Sequence, residues 1–149
     1  MYGYEFKELI ESYPAVNKKF KGVFSMDNFK NGLIKNNFIL INTSNSEDKI
    51  GHWVTLFWKK NNEIEFFDSL AYINFKEIKK ELPKQIIALE YNTTPVQPKT
   101  SKNCGYYAAW YIINRFFNEQ DNYKHFLNNI FSPNKETNEK NIEQFKITN

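Results

Sequence analysis

The 149-residue chain has one cysteine, Cys104, one arginine, Arg115, and no long apolar run. A single cysteine cannot form an intramolecular disulfide or a cysteine-rich zinc site, so we expect a reducing compartment. We also expect neither a metal nor another cofactor. The longest apolar run, residues 106–113, is far shorter than the roughly 18–20 residues that span a membrane. We therefore expect no membrane partner. The first residues lack a basic segment followed by an apolar one, so we also expect no secretory signal.

The charge balance argues against nucleic-acid binding as the main function. The net charge is +3 and the pI is near 8.8. Domains that bind nucleic acids usually cluster their basic residues and use arginine to grip bases and phosphates. Here the short lysine groups at 18–21 and 76–80 are typical of solvated surfaces. We expect only weak DNA binding through salt-sensitive phosphate contacts.

The abundant residues are apolar and aromatic. Hydrophobic residues make up 41% of the chain and aromatic residues 17%, which excludes an intrinsically disordered protein. The length lies near the most common domain size of roughly 100–150 residues. We expect residues 1–149 to form a single domain with one sizeable core.

Apolar spacing and turn residues predict an α+β fold, with a small central antiparallel or mixed sheet covered by helices. Amphipathic helices are predicted at 4–13, 75–82 and 122–131, and a buried helix at 104–117. Strands are predicted at 38–42, 51–58, 63–68 and 85–90, with loops at 43–49 and 91–103. The tail from Asn134 is predicted to be a peripheral segment anchored only by Ile142 and Phe145.

The second and third predicted strands form a hairpin, since residues 59–62 include asparagines that tolerate positive φ. Pairing Lys59 with Glu63 makes His52 and Asp68 diagonal neighbours, with Cα atoms roughly 7–8 Å apart. The His52 Nδ1–H could then meet the Asp68 carboxylate, leaving Nε2 to take a proton from a thiol. The ordinary alternative is a hairpin with an exposed histidine and a turn-forming aspartate.

Cys104 is the candidate nucleophile, although a lone cysteine is by default a small buried hydrophobic residue. It begins the predicted helix 104–117, where unpaired N–H groups and the helix dipole favour the thiolate. His125 falls on the polar side of another helix, so His52 is the better candidate base. Gln97 lies seven residues before Cys104 in a proline-flanked loop. Its amide could join the Cys104 N–H in an oxyanion hole, but alone it indicates nothing.

The order of these residues resembles the adenovirus-type maturation proteases, which are related to the SUMO-specific proteases and have relatives in virophages and Maverick/Polinton elements. The resemblance covers roughly residues 20–131 and is carried by the segments 20–24, 40–43, 51–53, 67–69, 96–98 and 104–105. It implies a papain-like cysteine protease fold. The implied roles are nucleophile for Cys104, base for His52, orienting acid for Asp68 and oxyanion donor for Gln97. Substrate contacts are implied for Trp53 and Gly105, although Trp53 could equally be a core aromatic residue.

The resemblance implies an endopeptidase of the virion and host-cell cytoplasm that processes capsid or other virion precursors at glycine-containing sites. The seven-residue separation of Gln97 and Cys104 favours the viral branch of the superfamily. The disulfide-linked activating peptide of the adenoviral enzyme is not expected, because Ile86 stands where that enzyme has its second cysteine. Three alternatives remain: a deconjugase of ubiquitin-like proteins, an acetyltransferase with the same triad, and a non-enzymatic basic virion or DNA-binding protein.

Overall fold

A five-stranded mixed sheet forms the centre of the described structure, a computed structural model that describes residues 3–43, 51–73 and 75–148. The spatial order of the strands follows the chain: β1 (Phe20–Ser25), β2 (Asn37–Asn42), β3 (Trp53–Trp58), β4 (Glu63–Phe67) and β5 (Ala88–Tyr91). The two outer pairs, β1 with β2 and β4 with β5, are parallel, and the pairs that involve β3 are antiparallel. The predicted α+β class with a mixed sheet is therefore confirmed.

Helices pack around this sheet at the four positions that the apolar spacing predicts, and two further α-helices are present in the described residues. The six are α1 (Gly3–Glu11), α2 (Pro14–Asn17), α3 (Phe75–Lys79), α4 (Cys104–Phe117), α5 (Tyr123–Ile130) and α6 (Lys135–Thr148), of which α2 and α6 are the further two. Helix α1 ends at Glu11, two residues before the predicted end at 13, and Pro14 begins α2 because its fixed φ suits the first helical position. No helix within the described ranges has the length and apolarity to cross a bilayer.

The β3–β4 hairpin has the predicted register. Trp58 pairs with Ile64 and Leu56 with Phe66. Asn62 takes a φ of 63° in the connecting turn, as its position predicts. Because the strands are antiparallel, the first residue of β3 and the last residue of β4 lie at the same edge of the sheet.

Each face of the sheet is covered by a separate apolar cluster. On β3, Trp53 and Phe57 belong to the cluster that contains α1, α4, α5 and α6, whereas Val54 and Leu56 belong to the cluster on the other face. This alternation follows from the two-residue period of a strand. Helix α4 is buried on most of its surface because it packs between the sheet and the outer helices.

The single arginine is part of the core rather than of a basic surface. Arg115, in the last turn of α4, is fully buried and donates to both carboxylate oxygens of Glu65 on β4, at 2.8 and 2.7 Å. It also donates to the carbonyl oxygens of Asn118 and Asp121. These bonds compensate the desolvation of the buried charge and tie the end of α4 to the sheet.

Three elements differ from the sequence predictions. Strand β1 was not predicted, because Gly22, with a φ of 118°, interrupts its alternation and shifts its register against β2. Strand β5 begins at Ala88 rather than at residue 85, because residues 84–85 form a turn. The tail contains the helix α6, which was expected to be only a peripheral segment. The predicted loop at 43–49 lies outside the described residues apart from Thr43.

Candidate active site

His52 and Asp68 meet at one edge of the sheet. His52 directly precedes β3 and Asp68 directly follows β4, so the hairpin brings the two side chains together. The Nε2 atom of His52 is hydrogen-bonded to Oδ1 of Asp68. The contact that the hairpin register predicts is therefore present in the structure.

The prediction for the two ring nitrogens was wrong. Nε2, rather than Nδ1, faces Asp68. The Cys104 sulfur lies beside the backbone N–H of Trp53, next to the main chain of His52. Nδ1 is the ring nitrogen nearer to the main chain, and Nε2 is the one that extends across the hairpin. Nδ1 is buried and makes no hydrogen bond of standard geometry to the described residues, which leaves it available to the sulfur.

The Asp68 carboxylate is fixed by the backbone that follows it. Its Oδ1 accepts from the N–H of Leu70 at 3.0 Å, and its Oδ2 accepts from Tyr72 and Ile73 at 2.8 and 2.9 Å. The intervening Ala71 takes a φ of 52°, which curls residues 69–73 around the carboxylate. Burial raises the pKa of Asp68, but His52 and these N–H groups outweigh it and lower the pKa overall. The carboxylate is therefore held in its charged form.

The main chain of Asp68 is anchored as well. Asn92, just after β5, accepts from the Asp68 N–H at 2.9 Å and donates to the Asp68 carbonyl at 2.6 Å. These two bonds from the Asn92 side chain replace backbone pairing just beyond the point where the hydrogen bonds between β4 and β5 end. They hold Asp68 against rotation away from His52.

Cys104 is the first residue of α4 and is only partly exposed. Burial raises the pKa of its thiol, but His52 and the N–H groups of Trp53 and Gly105 outweigh it, so the pKa is lowered overall. Burial lowers the pKa of His52, but Asp68 and Cys104 raise it to about 9. The raised pKa of His52 favours its imidazolium at neutral pH, and the lowered pKa of Cys104 favours its thiolate more than in an ordinary cysteine.

Gln97 is fully buried in the loop between β5 and α4. Its Oε1 accepts from the Ser69 hydroxyl, and its Nε2 donates to the Ser101 carbonyl at 3.0 Å. Its backbone N–H donates to the Ser69 carbonyl at 3.1 Å. Within the described residues its hydrogen bonds thus run to Ser69 and Ser101 rather than to Cys104.

Trp53 and Gly105 both pack against Phe6 of α1. The Trp53 ring is 5% exposed and meets the Phe6 ring edge-on, with centroids 5.5 Å apart. A Cβ atom on Gly105 would overlap the same ring, so glycine is required by packing at this point. The Trp53 ring has little free surface to offer a substrate, and both substrate roles stay predictions. His125 is exposed on α5 and contacts Asn129.

Sequence reasoning missed the residues that support the loop before Cys104. Asn103 donates to Glu143 of α6 at 2.6 Å and accepts from Lys146 at 3.0 Å. The Ser101 hydroxyl donates to Glu139 at 3.0 Å. The polar face of α6 therefore holds the start of α4. The only signal in the sequence was the polar composition of the tail, which also describes a solvated segment.

Comparison with known proteins identifies the fold of the chain. No protein-family model and no curated protein matches the sequence. Among solved structures, the ASFV pS273R protease aligns with a TM-score of 0.55 at 20% identity, over 84% of this chain and 60% of the protease. The fold is that of the papain-like cysteine proteases.

Two further structures share this fold. The Chlamydia abortus effector ChlaDUB aligns with a TM-score of 0.55 at 17% identity, over 75% of this chain and 56% of the effector. HopZ1a, solved in complex with IP6 and CoA, aligns with a TM-score of 0.54 at 13% identity, over 78% of this chain and 43% of its own. All three are SUMO/ubiquitin-protease-like in fold. At these identities the likeness shows the fold, and the chain spans only 43% to 60% of their lengths.

Proposed function

We propose that the protein is a cysteine endopeptidase with Cys104 as nucleophile, His52 as acid and base, and Asp68 as the group that orients His52. The observation that carries this proposal is the juxtaposition of a thiol of lowered pKa with an imidazole of raised pKa at a helix start. A buried structural cysteine needs neither a histidine beside its sulfur nor a carboxylate behind that histidine.

The reaction follows from the proton positions in this pair. The Cys104 thiolate attacks the carbonyl carbon of the scissile peptide, and the oxyanion forms beside the Cys104 N–H and the Gln97 amide. The His52 imidazolium gives its Nδ1 proton to the leaving amine, while Nε2–H stays bonded to Asp68. Neutral His52 then takes a proton from water, which attacks the thioester and releases the acid and the thiolate.

The proposed substrates are capsid or other virion precursor proteins, cut next to glycine in the virion or the host-cell cytoplasm. Two observations support a viral origin: the resemblance of the sequence motifs to adenovirus-type proteases, including virophage members, and the fold likeness to the ASFV protease. The single cysteine supports an enzyme that works without a disulfide-linked activating peptide.

A deconjugase of ubiquitin-like proteins is the second candidate, and the fold likeness to the ChlaDUB effector favours it. It would use the same residues on a folded protein with an extended C-terminal tail. Rapid labelling of Cys104 by a ubiquitin vinyl electrophile would support the deconjugase, and labelling no faster than by the vinyl group alone would exclude it. Consumption of acetyl-CoA would identify an acetyltransferase instead, which the likeness to HopZ1a makes worth measuring.

The proposal is tested with purified protein and fluorogenic peptides that carry glycine on either side of the cut. We expect hydrolysis by the wild type and by His125→Ala, a matched histidine control on the surface of α5. Cys104→Ala should be inactive because it has no nucleophile. Cleavage retained in Cys104→Ala would disprove the assignment. A wild-type protein that binds DNA tightly and alkylates at the rate of an ordinary thiol would support the non-enzymatic alternative.

A further inference from the structure

The side-chain amide of Gln97 is buried, and its two ends contact groups of different chemistry. One end faces the Ser101 carbonyl, and the other faces the Ser69 hydroxyl. Gln97 is 0% exposed and Ser69 is 1% exposed, so water does not compete for these bonds. An amide in such a place is held in the orientation that its partners select.

The partners select one orientation without ambiguity. A backbone carbonyl accepts hydrogen bonds and cannot donate them, so the NH2 group of Gln97 must face Ser101. A hydroxyl can donate, so the Ser69 O–H satisfies the remaining Oε1 atom. The Ser101 carbonyl engages one of the two Nε2 hydrogens. No second acceptor for Nε2 is recorded among the described residues, so its other hydrogen remains available to a substrate oxygen.

Ser69 is also linked to Gln97 through the backbone. The Ser69 carbonyl accepts from the N–H groups of Val96 and Gln97, at 2.9 and 3.1 Å. Ser69 directly follows Asp68 in the chain, so one short segment carries both the carboxylate behind His52 and the contacts of the oxyanion donor. A shift of this segment would move both groups together.

We propose that Ser69 is a positioning residue for the oxyanion hole: its hydroxyl holds the Gln97 amide with the free N–H directed at the developing oxyanion. This inference rests on the proposed cysteine peptidase function. Without the hydroxyl, the Gln97 Oε1 is buried without a partner, and the amide can turn or shift to find one. A donor displaced by about 1 Å loses much of its effect on the transition state.

The test compares Ser69→Ala with the wild type in peptide hydrolysis. We expect kcat to fall about 10-fold or more, but by no more than the roughly 10²–10³-fold loss that follows removal of a whole oxyanion donor. KM should stay the same, because the oxyanion forms only in the transition state. In the Gln97→Ala background, Ser69→Ala should lower kcat no further. The control Thr55→Val removes a buried hydroxyl that has no partner among the described residues, and it should leave kcat unchanged.

Alkylation by iodoacetamide distinguishes a displaced oxyanion donor from disruption of the whole active site in Ser69→Ala. The thiolate attacks a saturated carbon in that reaction, so no oxyanion forms, and Ser69→Ala should react at the wild-type rate. The inference would be overturned if Ser69→Ala had the wild-type kcat, or if it lowered kcat as much in the Gln97→Ala background as in the wild type. It would also be overturned if Ser69→Ala slowed alkylation as much as it slowed hydrolysis.

A measurement without turnover keeps the inference separate from the proposed function. Hydrogen exchange of the Gln97 side-chain NH2, followed by nitrogen-15 NMR, should be slow in the wild type and at least about 10-fold faster in Ser69→Ala, because the buried amide loses its anchor. A wild-type protein that cleaves no peptide would refute the proposed function alone. Unchanged exchange in Ser69→Ala would refute the positioning role whether or not the protein cleaves peptides.

Discussion

Asp68→Asn is the substitution whose effect the structure predicts in most detail. Oδ2 accepts from two backbone N–H groups, whereas Oδ1 accepts from Leu70 and contacts His52. The asparagine oxygen will keep the position that faces two backbone N–H groups, because a backbone N–H cannot become an acceptor whereas the His52 ring can. The NH2 group will therefore turn toward His52. An NH2 group there requires Nε2 of His52 to accept, and this disfavours the imidazolium and moves the proton of the neutral ring to Nδ1.

The size of the effect follows from the pKa of His52. It stands near 9 instead of 6.5, which corresponds to about 3 kcal/mol of stabilisation of the imidazolium at roughly 1.4 kcal/mol per unit. Burial opposes this shift, and Asp68 is the largest contribution that favours it. Loss of the carboxylate therefore removes the largest contribution that stabilises the imidazolium, and kcat/KM should fall about 10²-fold or more.

Two assays follow this change. Peptide hydrolysis gives kcat/KM, and the rate of Cys104 alkylation as a function of pH gives the apparent pKa of the thiol. The midpoint of alkylation should rise toward the ordinary thiol value of about 8.5 in Asp68→Asn. Asp121→Asn, the same change outside the site, should match the wild type in both assays. Wild-type hydrolysis and an unshifted midpoint in Asp68→Asn would refute the role of Asp68.

Three further predictions concern packing, the buried ion pair and pH. Gly105→Ala should lower the free energy of unfolding by about 1–3 kcal/mol in urea denaturation, because its Cβ would overlap the Phe6 ring; an unchanged midpoint would show that Phe6 moves away freely. Arg115→Met should cost about 3–5 kcal/mol, since it removes the bidentate partner of the buried Glu65 carboxylate and leaves a longer ion pair with Lys59 at 3.5 Å; Glu65→Gln in the same chain should recover part of the loss. A stable Arg115→Met single variant would contradict this account of the pair. Peptide hydrolysis should decline as pH rises through about 9, because His52 loses its proton there and the leaving amine has no acid; a rate that stays constant to pH 10 would contradict the raised pKa of His52.

The parts of the fold that the sequence predicts well are those with local pairing. The hairpin β3–β4 has a short turn with Asn62 at positive φ, and its register follows from counting residues. That register alone predicts the contact between His52 and Asp68. Helix α4 is equally well defined, because its apolar residues begin directly after a polar loop.

The parts of the fold that the sequence does not predict depend on contacts between residues that are far apart in the chain. Strand β1 is recognisable only through its parallel partner β2, because Gly22 interrupts its own pattern. Helix α6 has few apolar residues, and its polar side chains become informative only once they are seen to bind Asn103 and Ser101. Which nitrogen of His52 faces Asp68 depends on where α4 places the Cys104 sulfur, and the hairpin alone does not determine that position.

The most direct test of the account is capture of the acyl-enzyme. A peptide ester substrate is mixed with the protein and quenched in acid within the first turnovers, and the intact mass is then measured. We expect a mass increase equal to the acyl group, located on the fragment that contains Cys104 and absent in Cys104→Ala. Turnover of the substrate with no adduct on Cys104, or the same adduct in Cys104→Ala, would contradict the central claim that Cys104 is the nucleophile.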